Sequence, residues 1–299
     1  MFRRTLLLSA VAASAALPLA PALAAQPPLR MEVFNPGAAS LFPVTSVLIT
    51  GQRDAVLIDA QFQRNDALAL AQKIRASGKR LTTVYISHSD PDYYFGLDVV
   101  HAAFPQARIV ATPQTLAAIR ASRGGKLSHW GPILKDNAPQ VLVEPQALKG
   151  DHLLLEGRKL QVVGLNGPTP ERTVVWIPSI RAVVGGVPVS ANIHVWVADT
   201  QTPAQRMYWL QTLDGIDALR PRTVVPGHYL PNADGSAPHT PGNVQFTRDY
   251  LKAFDAEAAL APDARTLVSA MQRRYPQLGE SSSLDLSAKV IQGEMQWPQ

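Results

Sequence analysis

Hydrophobic and polar positions along this chain switch repeatedly between a strand-like and a helix-like period. The runs SVLITG and AVLIDA, within residues 46–60, are rich in β-branched side chains and are separated by a short polar turn. This arrangement predicts a β-hairpin of buried strands. Residues 65–77 then place Leu68 and Ala71 in helical phase and end at Gly78, which predicts a helix with a glycine C-cap.

The same alternation continues through most of the chain. Further strands are predicted at residues 82–87, 108–112, 152–165 (two runs), 173–178, 181–186 and 223–229. Further helices are predicted at residues 96–105, 113–122, 203–219, 243–260 and 263–274. Mixing of the two element types without a linker predicts a single α/β domain.

One long segment has no clear period. Residues 123–139, RGGKLSHWGPILKDNAP, are rich in glycine, proline and tryptophan. They are interpreted as a long surface loop with at most one helical turn, and loops of this length are often functional.

Composition narrows the possible chemistry. The 299 residues include no cysteine, which excludes disulfides, thiolate metal sites and cysteine nucleophiles. The formal charge is +5, and removing Arg3 and Arg4 leaves +3. Because no run of basic residues is interleaved with aromatics, nucleic-acid binding is not expected.

The first 25 residues have the pattern of an export signal. Arg3 and Arg4 precede an apolar stretch, and small residues before Ala24 and Ala25 suit a cleavage site. Both a general secretory signal and a twin-arginine signal match this pattern. The apolar core is short and broken by prolines, so stable membrane insertion is not expected. We therefore predict a signal peptide at 1–25, a mature domain at 26–299, and a periplasmic or secreted protein.

Metal-ligating residue types crowd together after the strand at 82–87. The segment ISHSDPDYYFGLD contains His88, Asp90 and Asp92, followed by two tyrosines. Far along the chain, the strand TVVPGHY carries His228. Imidazole and carboxylate groups are the usual ligands of zinc, iron and manganese.

The order of these motifs resembles the metallo-β-lactamase superfamily. The resemblance rests on AVLIDA, TTVYISHSDPDYYFG, GPTPERTVVWIP, AVVGG and VVPGHY, and covers roughly residues 45–230. It implies an αββα sandwich with metal ligands on loops at one edge of two sheets. It also implies that Asp59 is the buried aspartate close to the site.

The ligand positions implied by the resemblance are only partly retained. In the family's His-x-His-x-Asp-His motif, His88 and Asp92 match, whereas Asp90 and Tyr93 replace histidines. The next histidine position holds Pro168, or Arg172 in an alternative alignment. The position of the metal-bridging residue falls at about Val187, and the final histidine is His228. A dinuclear zinc site, and with it β-lactamase activity, is therefore not expected.

A mononuclear site is the first hypothesis for the cofactor. His88, Asp90 and His228 would hold one divalent ion, with Asp92 completing the shell or orienting water. Zinc is the first candidate, iron and manganese are alternatives, and a metal-free site remains open. Several roles also stay open: Asp90 and Asp92 as turn or helix caps, Tyr93 as a ligand or oxyanion donor, His194 as a replacement ligand or a packing residue, and Arg172 as an ion-pair partner or an anion-binding group.

Two classes of function follow. The first is an exported hydrolase that cleaves an ester, lactone, amide or similar bond with metal-activated water, using Asp92 and Tyr93 as catalytic residues. Its small-molecule substrate would be bound by Arg172, Tyr94 and Trp130. The alternative is a non-catalytic, metal-free protein that binds a small anion through Arg172 and His88. The sequence leaves the substrate and the oligomeric state open.

Overall fold

The computed structural model describes residues 27–297, in which two β-sheets pack face to face. The predicted signal peptide at 1–25 lies outside the described residues. The first sheet has the order β1–β2–β3–β4–β5–β6, formed by Arg30–Phe34, Ser46–Thr50, Asp54–Ile58, Arg80–Ile86, Arg108–Ala111 and Gln146–Ala147. The pairs from β1 to β3 are antiparallel, and those from β3 to β6 are parallel.

The second sheet is antiparallel except at one edge. Its strands are β7 (His152–Leu155), β8 (Arg158–Val163), β9 (Val174–Ile177), β10 (Ala182–Val184) and β12 (Thr223–Val224). Their order is β12–β10–β9–β8–β7, and β12 pairs with β10 in parallel. Two further strands, β11 (Ser190–Ala191) and β13 (His228–Tyr229), form a separate short pair.

Seven helices cover the outer faces of the two sheets among the described residues. They are α1 (Arg64–Ala76), α2 (Leu97–Ala103), α3 (Pro113–Leu134), α4 (Pro203–Ala218), α5 (Gly242–Leu260), α6 (Ala264–Arg274) and α7 (Ser281–Ile291). No helix within 27–297 is both long and apolar enough to cross a membrane.

Alternation along the central strands builds the layers. In β2, Val47 and Ile49 join side chains of the second sheet in one buried cluster. Leu48, between them, belongs instead to the cluster that includes Leu70 of α1. The helices α4 to α7 share a third cluster with the second sheet. Because alternate side chains of a strand point to opposite faces, β2 packs against the second sheet on one face and against a helix on the other. The predicted αββα sandwich is therefore confirmed.

Three predicted elements need correction. Residues 123–134 are not a loop, because α3 continues through them to Leu134. Burial of Trp130 and Leu134 stabilises this extension against the low helix propensity of its glycines. In α1, Ala71 is buried as predicted, but Leu68 is 52% exposed, and the buried face also includes Ala67, Leu70 and Ile74. The predicted strand 223–229 is divided between β12 and β13, which belong to different sheets.

Strands β1, β6 and β11 and helix α7 are not predicted by the sequence pattern. Strand β1 forms the edge of the first sheet and pairs with β2. Helix α7 packs beside α6 near the end of the chain. These elements are short, and their periodicity alone does not distinguish them from connecting segments.

Candidate active site

The loop after β4 is anchored by a buried carboxyl group. Asp59 is fully buried directly after β3, with a positive φ of 63°. Its Oδ1 accepts a hydrogen bond from the Ser87 backbone N–H at 2.8 Å, and its Oδ2 lies 2.7 Å from Ser87 Oγ and 3.4 Å from Gly186 N. Burial raises the pKa of Asp59 to about 7, although the Ser87 and Gly186 hydrogen bonds oppose this. Asp59 thus ties the ends of β3 and β4 to the loop after β10.

His88 follows this anchor and is buried. Its Nδ1 accepts the Asp90 backbone N–H at 3.0 Å, which places the proton of the neutral ring on Nε2. Nε2 is buried and has no hydrogen-bond partner among the described residues. Burial lowers the pKa of His88 to about 4, so the ring is neutral at pH 7.

The Asp90 side chain pairs with Lys126 of α3, a residue that no sequence motif connects with the site. Asp90 Oδ1 lies 3.0 Å from Lys126 Nζ, and Asp90 Oδ2 lies 3.3 Å from His88 Nδ1. Burial alone would raise the pKa of Asp90, but the positive charge and hydrogen bond of Lys126, together with His88 and Arg172, outweigh burial and lower that pKa. Asp90 precedes the short 3₁₀ turn at Pro91–Tyr93 and makes no side-chain cap hydrogen bond to it. The turn-capping alternative for Asp90 is therefore wrong.

A second carboxylate completes the surroundings of Lys126. Asp199 Oδ1 lies 3.8 Å from Lys126 Nζ. The indole N–H of Trp196 donates to Asp199 Oδ2 at 2.6 Å, and that of Trp297 donates to Oδ1 at 2.9 Å. Burial and the nearby Asp90 raise the pKa of Asp199, while Lys126 opposes this.

Asp92 and His228 form a separate pair. Their Oδ2 and Nε2 atoms are 2.9 Å apart, and β13 positions the histidine. The Tyr93 ring lies edge-on to both histidines, with centroids 5.5 Å from His88 and 5.6 Å from His228. The Tyr93 hydroxyl is buried without a partner among the described residues, and burial raises its pKa. The phenol is therefore neutral and is a hydrogen-bond donor.

These charged groups open into one cleft. Its lining includes Asp90, Asp92, Lys126, Asp199 and His228. Its apolar wall includes Phe42, Trp130, Trp196 and Trp297. The predicted substrate-binding residue Trp130 thus lies where a ligand could contact it.

The other two predicted substrate-binding residues lie outside the set that lines this cleft. Tyr94 is buried and its hydroxyl has no partner among the described residues. The Arg172 guanidinium lies 5.7 Å from the centre of the Trp209 ring, and its Nε is 3.9 Å from Glu171 Oε1. His194 does line the cleft, but its Nδ1 is 3.0 Å from the Tyr250 hydroxyl.

The predicted metal ligands do not fit a metal ion as they are arranged. Within residues 27–297, no three His, Asp or Glu side chains are grouped closely enough to hold one. Each of the two carboxylates among the predicted ligands already contacts a basic side chain. Lys126 contacts Asp90, and His228 contacts Asp92. The nitrogen of His88 that faces no partner carries the proton, and a ligating nitrogen needs a free lone pair. A mononuclear centre on His88, Asp90, Asp92 and His228 remains a prediction that requires both pairs to separate.

Lys126, Asp199 and Trp297 are the members of the site that sequence reasoning missed. Lys126 lies in the aperiodic segment interpreted as a loop, and Trp297 lies near the end of the chain. None of the three matches a position of the resemblance. For Lys126, the signal in the sequence is its place in residues 123–139, a segment rich in glycine, proline and tryptophan.

Comparisons with known proteins support the fold. Residues 39–228 match the metallo-beta-lactamase superfamily. A metallo-beta-lactamase family protein from Thermus thermophilus is 16% identical, with a TM-score of 0.59 over 88% of this chain and 93% of its own. A beta-lactamase domain protein from Burkholderia ambifaria is also 16% identical, with a TM-score of 0.60 over 88% and 84%. A metallo-beta-lactamase from Pontibacter korlensis is 19% identical, with a TM-score of 0.54 over 75% and 95%. No curated protein matches the chain.

The chain belongs to the metallo-beta-lactamase superfamily, because the match covers more than half of its residues. Proteins of this superfamily typically bind divalent metals and act on small molecules. Membership supports a hydrolase-like function for this chain.

Proposed function

We propose that this protein is an exported hydrolase that cleaves an ester, lactone, amide or similar bond in a small molecule. The observation that carries the proposal is the contact between His228 Nε2 and Asp92 Oδ2, 2.9 Å apart, on the wall of a cleft with aromatic sides. A histidine oriented by a carboxylate is a common arrangement for removing a proton from water.

The chemistry can be assigned to groups of the cleft. His228 Nε2 lies 2.9 Å from Asp92 Oδ2, and a proton on Nε2 would leave the lone pair of Nδ1 free to accept a proton. A water molecule bound to this pair would lose its proton to the histidine as its oxygen attacks the carbonyl carbon of the substrate. The histidine would then return this proton to the leaving oxygen or nitrogen as the bond from that atom to the carbonyl carbon breaks. The Lys126 ammonium lines the same cleft and would stabilise negative charge on the carbonyl oxygen. Trp130 and Trp196 would contact the apolar part of the substrate.

The metal-dependent version of this hydrolase is the alternative from the sequence. It assigns His88, Asp90 and His228 to one divalent ion, zinc before iron or manganese. Its formation would have to separate Asp90 from Lys126 and His228 from Asp92, so Lys126 and His228 would each lose the carboxylate that lies beside them. The arrangement of the pairs therefore favours catalysis by the side chains themselves.

Export is part of the proposal and rests on residues 1–25. We expect cleavage near Ala24 or Ala25 and a soluble periplasmic product. Intact-mass measurement of material released from the periplasm tests this. A product that still carries Met1 and sediments with membranes would refute export.

Activity tests the rest of the proposal. The exported protein would be assayed with chromogenic esters, lactones and amides, together with the variants Asp92→Asn and His228→Ala. We expect both variants to lose roughly 100-fold or more in kcat/KM, because general-base catalysis is worth about that much. The matched control is His101→Ala, which removes an exposed histidine from α2.

The outcomes separate the competing functions. Activity that survives a chelator and depends on Asp92 and His228 supports the proposal. Activity that a chelator abolishes and zinc restores supports the metal-dependent version. Absence of activity on every substrate, with binding of small anions that depends on Arg172 and His88, supports the non-catalytic alternative.

A further inference from the structure

Lys126 is a buried cation with an unusually complete set of partners. Only 7% of the residue is exposed, although it lies in the middle of α3. Lysine is almost never buried without a charged partner, because removing an ammonium from water is costly. Here Nζ lies 3.0 Å from Asp90 Oδ1, 3.8 Å from Asp199 Oδ1 and 5.4 Å from the centre of the Trp297 ring.

The second carboxylate is fixed by groups that do not depend on the lysine. Asp199 accepts one indole N–H from Trp196 and another from Trp297. Lys126 therefore lies between two carboxylates held by separate parts of the chain: the loop after β4, and the segment before α4 together with the chain end. An ordinary surface ion pair is exposed to solvent, and its carboxylate is not held by further hydrogen bonds as Asp199 is here.

Lys126 forms its ion pair with Asp90, the residue that replaces the second histidine of the superfamily motif. A divalent ion bound to Asp90 Oδ1 would lie within a few ångströms of the ammonium, and the two positive charges would repel each other strongly in this buried position. The Nδ1 lone pair of His88 is not available to a metal ion either, because it accepts a hydrogen bond from the Asp90 backbone N–H. The positive charge at this position is thus already supplied by the chain.

We propose that Lys126 is the permanent cation of Asp90 and Asp199, in place of a metal ion. The lysine holds the loop after β4 in its folded position without any metal. This inference concerns which cation the site contains, and it holds whether or not the protein is a hydrolase.

The test compares metal binding and thermal stability with and without the lysine. Wild type, Lys126→Met and the double variant Lys126→Met with Asp90→Asn would be dialysed against EDTA and then against ZnCl₂ or MnCl₂. Elemental analysis and Tm would be measured at each stage. The matched control is Lys289→Met, which removes an exposed lysine from the helix α7.

We expect wild type and the Lys289→Met control to retain almost no metal and to keep the same Tm in every buffer. Lys126→Met should lose roughly 5 °C in Tm without metal, since two half-buried carboxylates then lose the cation between them. Zinc or manganese should restore most of this loss and bind at about one equivalent per chain. The double variant should bind no metal, because Asp90 can no longer donate a charged oxygen.

Three results would overturn the proposal. The first is one metal equivalent retained by the wild type after dialysis. The second is a Lys126→Met protein as stable without metal as the wild type. The third is a loss of stability in Lys126→Met that neither metal reverses. If Lys126→Met does not fold at any metal concentration, the wild-type measurement decides alone: metal content near zero supports the proposal, and one equivalent refutes it.

Discussion

The buried carboxyl of Asp59 should make the stability of the protein depend on pH in an unusual direction. Asp59 has no solvent exposure, and burial raises its pKa to about 7 from the ordinary value of 3.8. Most carboxylates in folded proteins have lowered pKa values and stabilise the native state as pH rises. For Asp59 the sign is reversed, because the folded state favours the protonated form.

The size of the effect follows from this pKa difference. Between pH 3.8 and about 7 the native state binds a proton that the unfolded state has released, so stability falls as pH rises. At about 1.36 kcal/mol per pH unit, the interval corresponds to at most about 4 kcal/mol. The contribution is complete below pH 3.8 and is lost as pH passes through 7.

A second buried group changes in the opposite direction, so wild type alone is not informative. Burial lowers the pKa of His88 to about 4 from 6.5. Its contribution to stability is therefore present above pH 6.5 and is lost as pH falls towards 4. The two effects partly cancel across the same range, and a variant that removes only the Asp59 titration is needed.

Asp59→Asn is the appropriate change. Asparagine has the same shape, tolerates the positive φ of 63°, and can still accept the Ser87 N–H and donate to Ser87 Oγ. The asparagine amide nitrogen cannot accept the Gly186 N–H, which lies 3.4 Å from Asp59 Oδ2. The stability lost with this contact should be the same at every pH.

The assay is urea denaturation of wild type and Asp59→Asn from about pH 4 to about pH 8.5, with the exposed Asp136→Asn as control. The free energy of unfolding of wild type minus that of Asp59→Asn should fall by up to about 4 kcal/mol across this range. The corresponding difference for Asp136→Asn should be flat. Parallel curves for wild type and Asp59→Asn would show that Asp59 is charged in the folded protein and that the reasoning is wrong.

Two further predictions concern the supporting structure. Glu156 accepts the backbone N–H groups of residues 52–54, and these bonds lower its pKa to about 2. Its contribution to stability should be present above pH 4.5 and lost as pH falls through 2, so Glu156→Gln should flatten the acid side of the stability profile measured by denaturation between about pH 2 and pH 5. A Cβ at Gly227 would lie 1.9 Å from the Gly186 carbonyl oxygen, whereas one at Gly215 in α4 would meet nothing within 4 Å. Gly227→Ala should therefore cost about 3 kcal/mol and Gly215→Ala should gain roughly 0.5–1 kcal/mol, and equal effects in thermal unfolding would contradict the packing at Gly227.

The sequence determined the layers of this protein because burial leaves a local signal. The hairpin at 46–60, the strand at 82–87 and the helix at 65–77 each have a period that shows which type of element they form. The order of five motifs then identified the αββα sandwich. Sequence also indicated the two ends of the site, the loop after β4 and the strand with His228, because both follow buried strands.

Only the tertiary structure decided what these site residues contact. Asp90 and Lys126 are 36 positions apart, and Lys126 lies in a segment without a clear period. Its helix forms because Trp130 and Leu134 are buried against the rest of the fold, and packing of this kind outweighs weak local propensity. An ion pair depends on distance in space and has no period along the chain. The sequence could therefore name His88, Asp90, Asp92 and His228, but the fold alone determined that Lys126 lies beside Asp90 and His228 beside Asp92.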